Sequence, residues 1–209
     1  MIIHNFDPVF IDLGFFQIRW YALAYVAGII IGLIYAKKIT IYIKKKFFRY
    51  NLNPSSIEDL IPYLIIGIIL GGRMGYVLFY NLHYFLNNPI KVFFIWEGGM
   101  SFHGGLVGVI ILTFLFAKKN NISLLSLTDI ISCAAPIGIF FGRLANFING
   151  ELYGKITTLP WGVVFPNVSN DPRHPSQIYE AGLEGLLLFF IMYFVFIKNQ
   201  MIVKTGSAS

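Results

Sequence analysis

Apolar residues run along this chain in blocks of about twenty, and polar or proline-rich segments separate the blocks. Five stretches, 17–36, 60–80, 100–117, 124–141 and 178–197, reach the roughly 18 residues at which a helix crosses a hydrocarbon core of about 30 Å. The pattern predicts an all-α, polytopic integral membrane protein, a single membrane domain over 1–209. Between the blocks, "NLNPSSIEDL" predicts a helix start at Ser55 or Ser56, followed by Glu58 and Asp59. An outer loop at 155–177 holds Pro160, Pro166, Pro172 and Pro175, which keep it from regular helix. "HPSQIYEA" then restarts a helix with Ser176 as its expected cap. The segment 81–99, "NLHYFLNNPIKVFFIWEGG", mixes aromatic and polar residues, as a stretch lying in the membrane interface or a plain aromatic belt would.

Composition agrees with the pattern. With 56% hydrophobic and 12% charged residues over 209 positions, and a mean hydropathy of +0.69, the chain is too apolar for a soluble domain of its size. Its net charge of +6 does not signal nucleic acid, because the basic residues are not gathered on a soluble face. Six of them (Lys37, Lys38, Lys44, Lys45, Lys46, Arg49) follow the first span, two (Lys118, Lys119) follow the third and two (Lys198, Lys204) the fifth, ten of sixteen on one side. Basic residues near span ends mark the cytoplasmic side, so the N-terminus is expected outside and the C-terminus in the cytoplasm. The start "MIIHNFDPVF" has no basic segment ahead of an apolar core, so no cleavable signal peptide is expected and the first span serves as the targeting signal. One cysteine, Cys133, excludes an intramolecular disulfide and a cysteine metal cluster, and its place in mid-span suits a small buried hydrophobe.

This topology assigns depths to the polar residues. Arg73 lies about 20 Å along the second span and Arg143 about 28 Å along the fourth, both towards the outer side. His103 stands near the outer end of the third span, and Arg19, Trp20 and Tyr21 at the same level of the first. An arginine inside a span costs about 2.5–3.5 kcal/mol on insertion scales. Arg73 and Arg143 therefore either snorkel, pair with Glu97, Glu151, Glu180 or Glu184, or bind a ligand. In "GRLANFINGELYG", Asn146 shares a helical face with Arg143, and Gly142, Gly150 and Gly154 allow close backbone approach. A guanidinium beside carboxamides suits a phosphate, here a phospholipid headgroup. His103, in "EGGMSFHGGLVG", is either a hydrogen-bonded core residue or a base among glycines that admit a substrate. His4, His83, His103 and His174 form no i,i+4 pair, so a metal site has no support. A faint echo links "GGRMGYVLFYN" with "FGRLANFINGE", both placing Gly-Arg near the outer end of a span, too few positions to read as duplication.

The motifs "RWYALAYVAG", "GGRMGYVLFYN", "WEGGMSFHGGLVG", "GRLANFINGELYG" and "RHPSQIYEA", in this order and over nearly the whole chain, resemble those of bacterial prolipoprotein diacylglyceryl transferases. The resemblance implies a multi-pass enzyme of the bacterial inner membrane that works at the outer leaflet without metal or redox cofactor. It would transfer the diacylglyceryl group of phosphatidylglycerol to the lipobox cysteine thiol of a prolipoprotein signal peptide, forming a thioether and releasing glycerol phosphate. By motif position, Arg143 would bind the phosphate and stabilise its departure, and His103 would activate the thiol. Asn146 would help hold the headgroup and Tyr21 line the site, with Glu151 and Gly154 bracing the motif. Arg73 joins the expected substrate-binding residues by its depth. Members of the family continue past "TGSAS" into two further spans, one carrying another arginine, so a shortened chain that binds phospholipid without turnover is the alternative expectation. A small transporter would need an inverted repeat or paired broken helices, which the sequence lacks.

Overall fold

The computed structural model describes residues 2–14, 17–46 and 52–198. Its main elements are α1 (Trp20–Lys46), α2 (Pro54–Phe79), a short α3 (Leu82–Asn87), α4 (Phe102–Lys119) and α5 (Leu124–Asn149), followed by a last helical span α6 (Ser176–Lys198). All but α3 are long and apolar enough to cross a membrane, with mean hydropathy of 1.4–1.9 over their best windows. Large apolar side chains such as Ile30, Leu78, Ile111 and Phe190 lie open on their outer faces, where lipid replaces a protein core. The expected helical membrane architecture, with five helices able to span, is the one observed.

The helix ends differ from the hydropathy pattern where polar residues continue a helix. The basic stretch after residue 36 is no loop, since α1 runs on to Lys46. It contains no glycine or proline, lysine is a good helix former, and Ile39 and Ile43 keep a buried face. Likewise α5 carries the Arg143 motif on its last two turns and stops only before Gly150, which takes φ 66°, the left-handed geometry that ends helices. Neither predicted serine cap forms. The second span starts at Pro54, a residue suited to a first helical turn, and Ser176 turns its hydroxyl away to donate to the Leu152 carbonyl at 2.7 Å. Arg49 and Lys204 fall outside the described residues. In α6, π-helical turns cover Ala181–Leu187 and Met192–Lys198.

Two small sheets were not expected. The strands β2 (Val9–Asp12) and β3 (Gln17–Arg19) form an antiparallel hairpin. Asp12 accepts from the Gly14 amide and the Gln17 side chain, and these donors hold its carboxyl below the ordinary carboxylate pKa. The second sheet joins β1 (Ile2–Ile3), β4 (Val163–Val164) and β5 (Pro172–Arg173) in the order β1, β4, β5, so the proline-rich outer loop supplies two strands.

The chain forms two compact units, one of Thr40–Asp129 and one of Met1–Ile39 with Ile130–Ser209. In the first, α2 and α4 meet backbone to backbone at their glycines: a Cβ on Gly71 would fall 2.3 Å from the Gly104 carbonyl oxygen, and one on Gly108 2.1 Å from that of Gly67. In the second, a Cβ on Gly28 of α1 would meet Gly138 of α5 at 3.3 Å, and one on Gly185 of α6 would meet Phe140 at 2.8 Å. Small residues at span crossings let backbones approach, which is how helices gain contact energy where lipid removes the hydrophobic drive.

Candidate active site

In the unit of α1, α5 and α6, the end of α5 and the start of α6 hold the charged groups. Arg143 is about a third exposed, with a side-chain accessibility of 30%. Its Nη1 lies 2.8 Å from Glu180 Oε2, and its Nη2 lies 3.5 Å from Glu184 Oε2. The nearer contact is an ion pair too oblique to be a hydrogen bond, since that Glu180 oxygen has no hydrogen-bond partner among the described residues. Glu180 and Glu184 are four residues apart and so share a helix face. Of the carboxylates foreseen as partners for an intramembrane arginine, these two are the ones used.

One turn after Arg143, Asn146 is buried and its amide points at Glu151 Oε2 over 3.5 Å, while the Asn149 amide reaches Oε1 over 3.4 Å. Glu151 is itself fixed by its backbone: its N–H donates to the Asn146 carbonyl and its carbonyl accepts from the fully buried Gln177 amide. The "RHPSQ" segment thus clamps the loop after α5. Gly154 belongs to the same clamp, because its N–H bonds the His174 carbonyl and a Cβ there would stand 2.8–2.9 Å from His174. Arg173 lies over the Tyr153 ring, 5.0 Å from its centroid. On α1, the Tyr25 hydroxyl donates to that of Tyr21 at 3.1 Å. Asn146, Glu151 and Gly154 are joined through the clamp, and Arg143 lies one turn before Asn146 on α5.

His4 was missed by sequence reasoning. It is buried, donates from Nε2 to the Phe147 carbonyl (2.7 Å), and packs on Phe147 and Phe165. A histidine four residues into an apolar segment carries no pattern that points to a partner 143 residues away. Gln177 was within reach, as the polar residue that follows Ser176 at the start of the helix opened by "RHPSQ".

In the unit of α2, α3 and α4, His103 sits on the first turn of α4. It is exposed and has no hydrogen bond among the described residues, so it is not a buried, bonded core histidine. It opens onto a lateral groove of about 770 Å³ whose floor is Gly71, Gly75, Gly104 and Gly108. Met74, Leu78, Phe79, Val107 and Ile111 form its apolar walls. Ser101 caps α4 by accepting from the Gly104 amide at 3.1 Å. Replacing Ser101 by alanine is expected to cost about 1 kcal/mol, read as a fall of roughly 2–4 °C in the thermal transition of the detergent-solubilised chain.

Arg73, placed among the expected substrate contacts, is 4% exposed. Its Nε donates to the Val92 carbonyl (2.9 Å), Nη1 to those of Gly98 (2.6 Å) and Gly99 (3.2 Å), and Nη2 to those of Lys91 (2.6 Å) and Phe94 (3.1 Å). Its guanidinium also lies 5.0 Å from the centre of the Phe85 ring. All five donors of the group are thus engaged by protein. The loop it holds carries the Lys91 and Glu97 ion pair, and that hydrogen bond keeps the Lys91 ammonium above its ordinary pKa.

A family model described as "Prolipoprotein diacylglyceryl transferase" matches residues 8–208. Curated relatives called phosphatidylglycerol–prolipoprotein diacylglyceryl transferase are 50% identical to the chain. The one from Rickettsia canadensis aligns over 204 residues, 98% of this chain and 77% of its own length. Those from Rickettsia typhi and Rickettsia felis align over 206 residues, 99% of this chain and 78% of theirs.

Proposed function

The chain belongs to the prolipoprotein diacylglyceryl transferase family, and on that premise we propose that it moves the diacylglyceryl group of phosphatidylglycerol onto the lipobox cysteine of a prolipoprotein. The observation that carries this reading is 50% identity over 98% of the chain to a relative named for that activity. In the reaction, the substrate cysteine sulfur attacks the glyceryl carbon next to the phosphate. A C–S bond forms, the C–O bond to phosphate breaks with its electron pair, and glycerol phosphate leaves. The thiol proton passes to the imidazole of His103, which is exposed and free of competing hydrogen bonds among the described residues.

Arg143 acts on the phosphate. Charge accumulates on the departing oxygen, and a guanidinium fixed beforehand stabilises it without reorganising at the moment of reaction. Glu180 and Glu184 supply that fixing. Glu184 is the longer contact at 3.5 Å and the more exposed at 53%, so it is the partner a phosphate displaces while Glu180 keeps the guanidinium in place. Asn146 and Tyr21 complete the polar lining for the headgroup, and Gly154 and Glu151 brace it. The groove beside His103 offers an apolar path open to the bilayer, as membrane-anchored substrates require.

The distribution of lysines supports an N-terminus outside and a C-terminus in the cytoplasm, in the bacterial plasma membrane with the reacting groups at the outer leaflet. Incubation of the purified chain with phosphatidylglycerol vesicles and a lipobox peptide is expected to release glycerol phosphate and to add the mass of a diacylglyceryl group to the peptide. Binding of the lipid with no product would overturn the proposal in favour of a phospholipid-binding protein without turnover.

A further inference from the structure

We infer that Arg73 is a positioning residue, which fixes the turn ahead of His103 and through it the place of the imidazole; the inference rests on the proposed role of His103. The loop before α4 meets α2 at Gly72, Arg73 and Tyr76. The Ser101 N–H donates to the Gly72 carbonyl at 2.9 Å. Arg73 reaches over the loop to the Gly98 and Gly99 carbonyls, which lie five and four residues before His103. Gly99 lies so close to the Tyr76 ring that a Cβ would come within 2.3 Å of it.

These contacts tie down carbonyls that the turn's own bonds, such as Gly98 N–H to the Ile95 carbonyl at 3.3 Å, leave open. Gly98 and Gly99 take φ of 82° and 81°, and the Gly98 ψ of −168° puts it in a region that only glycine adopts readily. Two successive glycines lose much backbone freedom when ordered, and their carbonyls have no helical partner. Arg73 supplies the donors they lack. Ser101, the N-cap of α4, follows two residues later and His103 two residues after that, so the start of the helix and the imbedding of its first turn follow from where this turn sits.

The geometry also argues against contact with a substrate phosphate. Every N–H of the guanidinium already has a carbonyl within 3.2 Å, and 4% exposure leaves no path to it. A phosphate could be bound only by giving up bonds that order the loop. The planar five-donor fork is the required feature here, and a lysine cannot replace it, because an ammonium is a point charge with three donors.

The test compares the parent chain with Arg73→Lys in phosphatidylglycerol vesicles with a lipobox peptide, with folded protein quantified by size exclusion. Arg73→Lys is expected to lower kcat about 10–100-fold, the range for a misplaced catalytic group, with KM for phosphatidylglycerol within about twofold. Amide hydrogen exchange should quicken at 98–104. A rise in KM with kcat unchanged would make Arg73 a headgroup contact and overturn the inference, as would a wild-type kcat. If Arg73→Lys does not fold, Gly98→Ala decides, since it strains the same turn and leaves Arg73 intact: slowed kcat at unchanged KM supports the inference and wild-type kcat overturns it. Should the parent chain itself release no glycerol phosphate, the proposed function falls, and exchange at 98–104 alone judges Arg73. Faster exchange in Arg73→Lys then supports the clamp, and unchanged protection removes it.

Discussion

An Arg143→Ala chain is expected to release glycerol phosphate from phosphatidylglycerol about 10²–10³-fold more slowly than the parent chain, the usual cost of deleting one preorganised donor to a developing anion. The loss should appear in kcat, because the charge on the leaving phosphate grows towards the transition state. Stability should change far less. The ion pairs to Glu180 and Glu184 are 30–53% exposed, and partly solvated pairs contribute at most about 1 kcal/mol. Arg143→Lys should recover only part of the rate, since one ammonium cannot face Glu180 and a phosphate with two parallel donors. Measured kcat within about threefold of the parent, for either variant, would remove Arg143 from the chemistry.

The largest expected effect on folding is at Gly71. Its absent side chain brings α2 and α4 into backbone contact, and a Cβ would stand 2.3 Å from the Gly104 oxygen and 2.8 Å from the Gly108 Cα. Both clashing atoms are main chain of a regular helix, so no rotamer change relieves them and the helices must separate along their crossing. Overpacking costs about 1–3 kcal/mol where side chains can yield, and Gly71→Ala belongs at or above the top of that range. Gly32→Ala is the matched control: it is also helical, nothing lies within 4 Å of the added methyl group, and alanine favours helix by about 1 kcal/mol. Thermal unfolding in detergent should show a sharp drop for Gly71→Ala and none for Gly32→Ala. Equal transitions would mean that the two helices do not touch through glycine.

Much of this architecture is legible because a bilayer leaves a chain few choices. Each apolar block must satisfy its own backbone, so length and hydropathy announce the helix. Its ends are less visible, because a hydropathy window registers side-chain polarity and a helix ends for backbone reasons. Lys44 and Asn146 look like loop residues by the first measure and are helical by the second. The two-residue strands at Ile2–Ile3 and Val163–Val164 are too short to show alternation. The site divides in the same way. Glu180 and Glu184 could be named as partners for Arg143, since opposite charges in low dielectric seek each other. The Arg73 contacts could not be read, because they go to carbonyl oxygens that every residue possesses. The two Gly-Arg pairs at 72–73 and 142–143 look alike in sequence, yet one arginine ties down a loop and the other faces two carboxylates.

The His4 contact has a bearing on the order of assembly. The strand at Ile2–Ile3 pairs with Val163–Val164, and His4 seats between Phe147 and Phe165, so residues made early wait for partners made much later. At about 5–20 residues per second, synthesis takes roughly 10–30 s to reach residue 164. Through that interval the leading segment has no strand to join, and His4 has no Phe147 carbonyl to bond, while the spans enter the bilayer one by one. Closure of this sheet is a late step of biogenesis, and it reports that the loop after α5 has been delivered to the same side as the N-terminus.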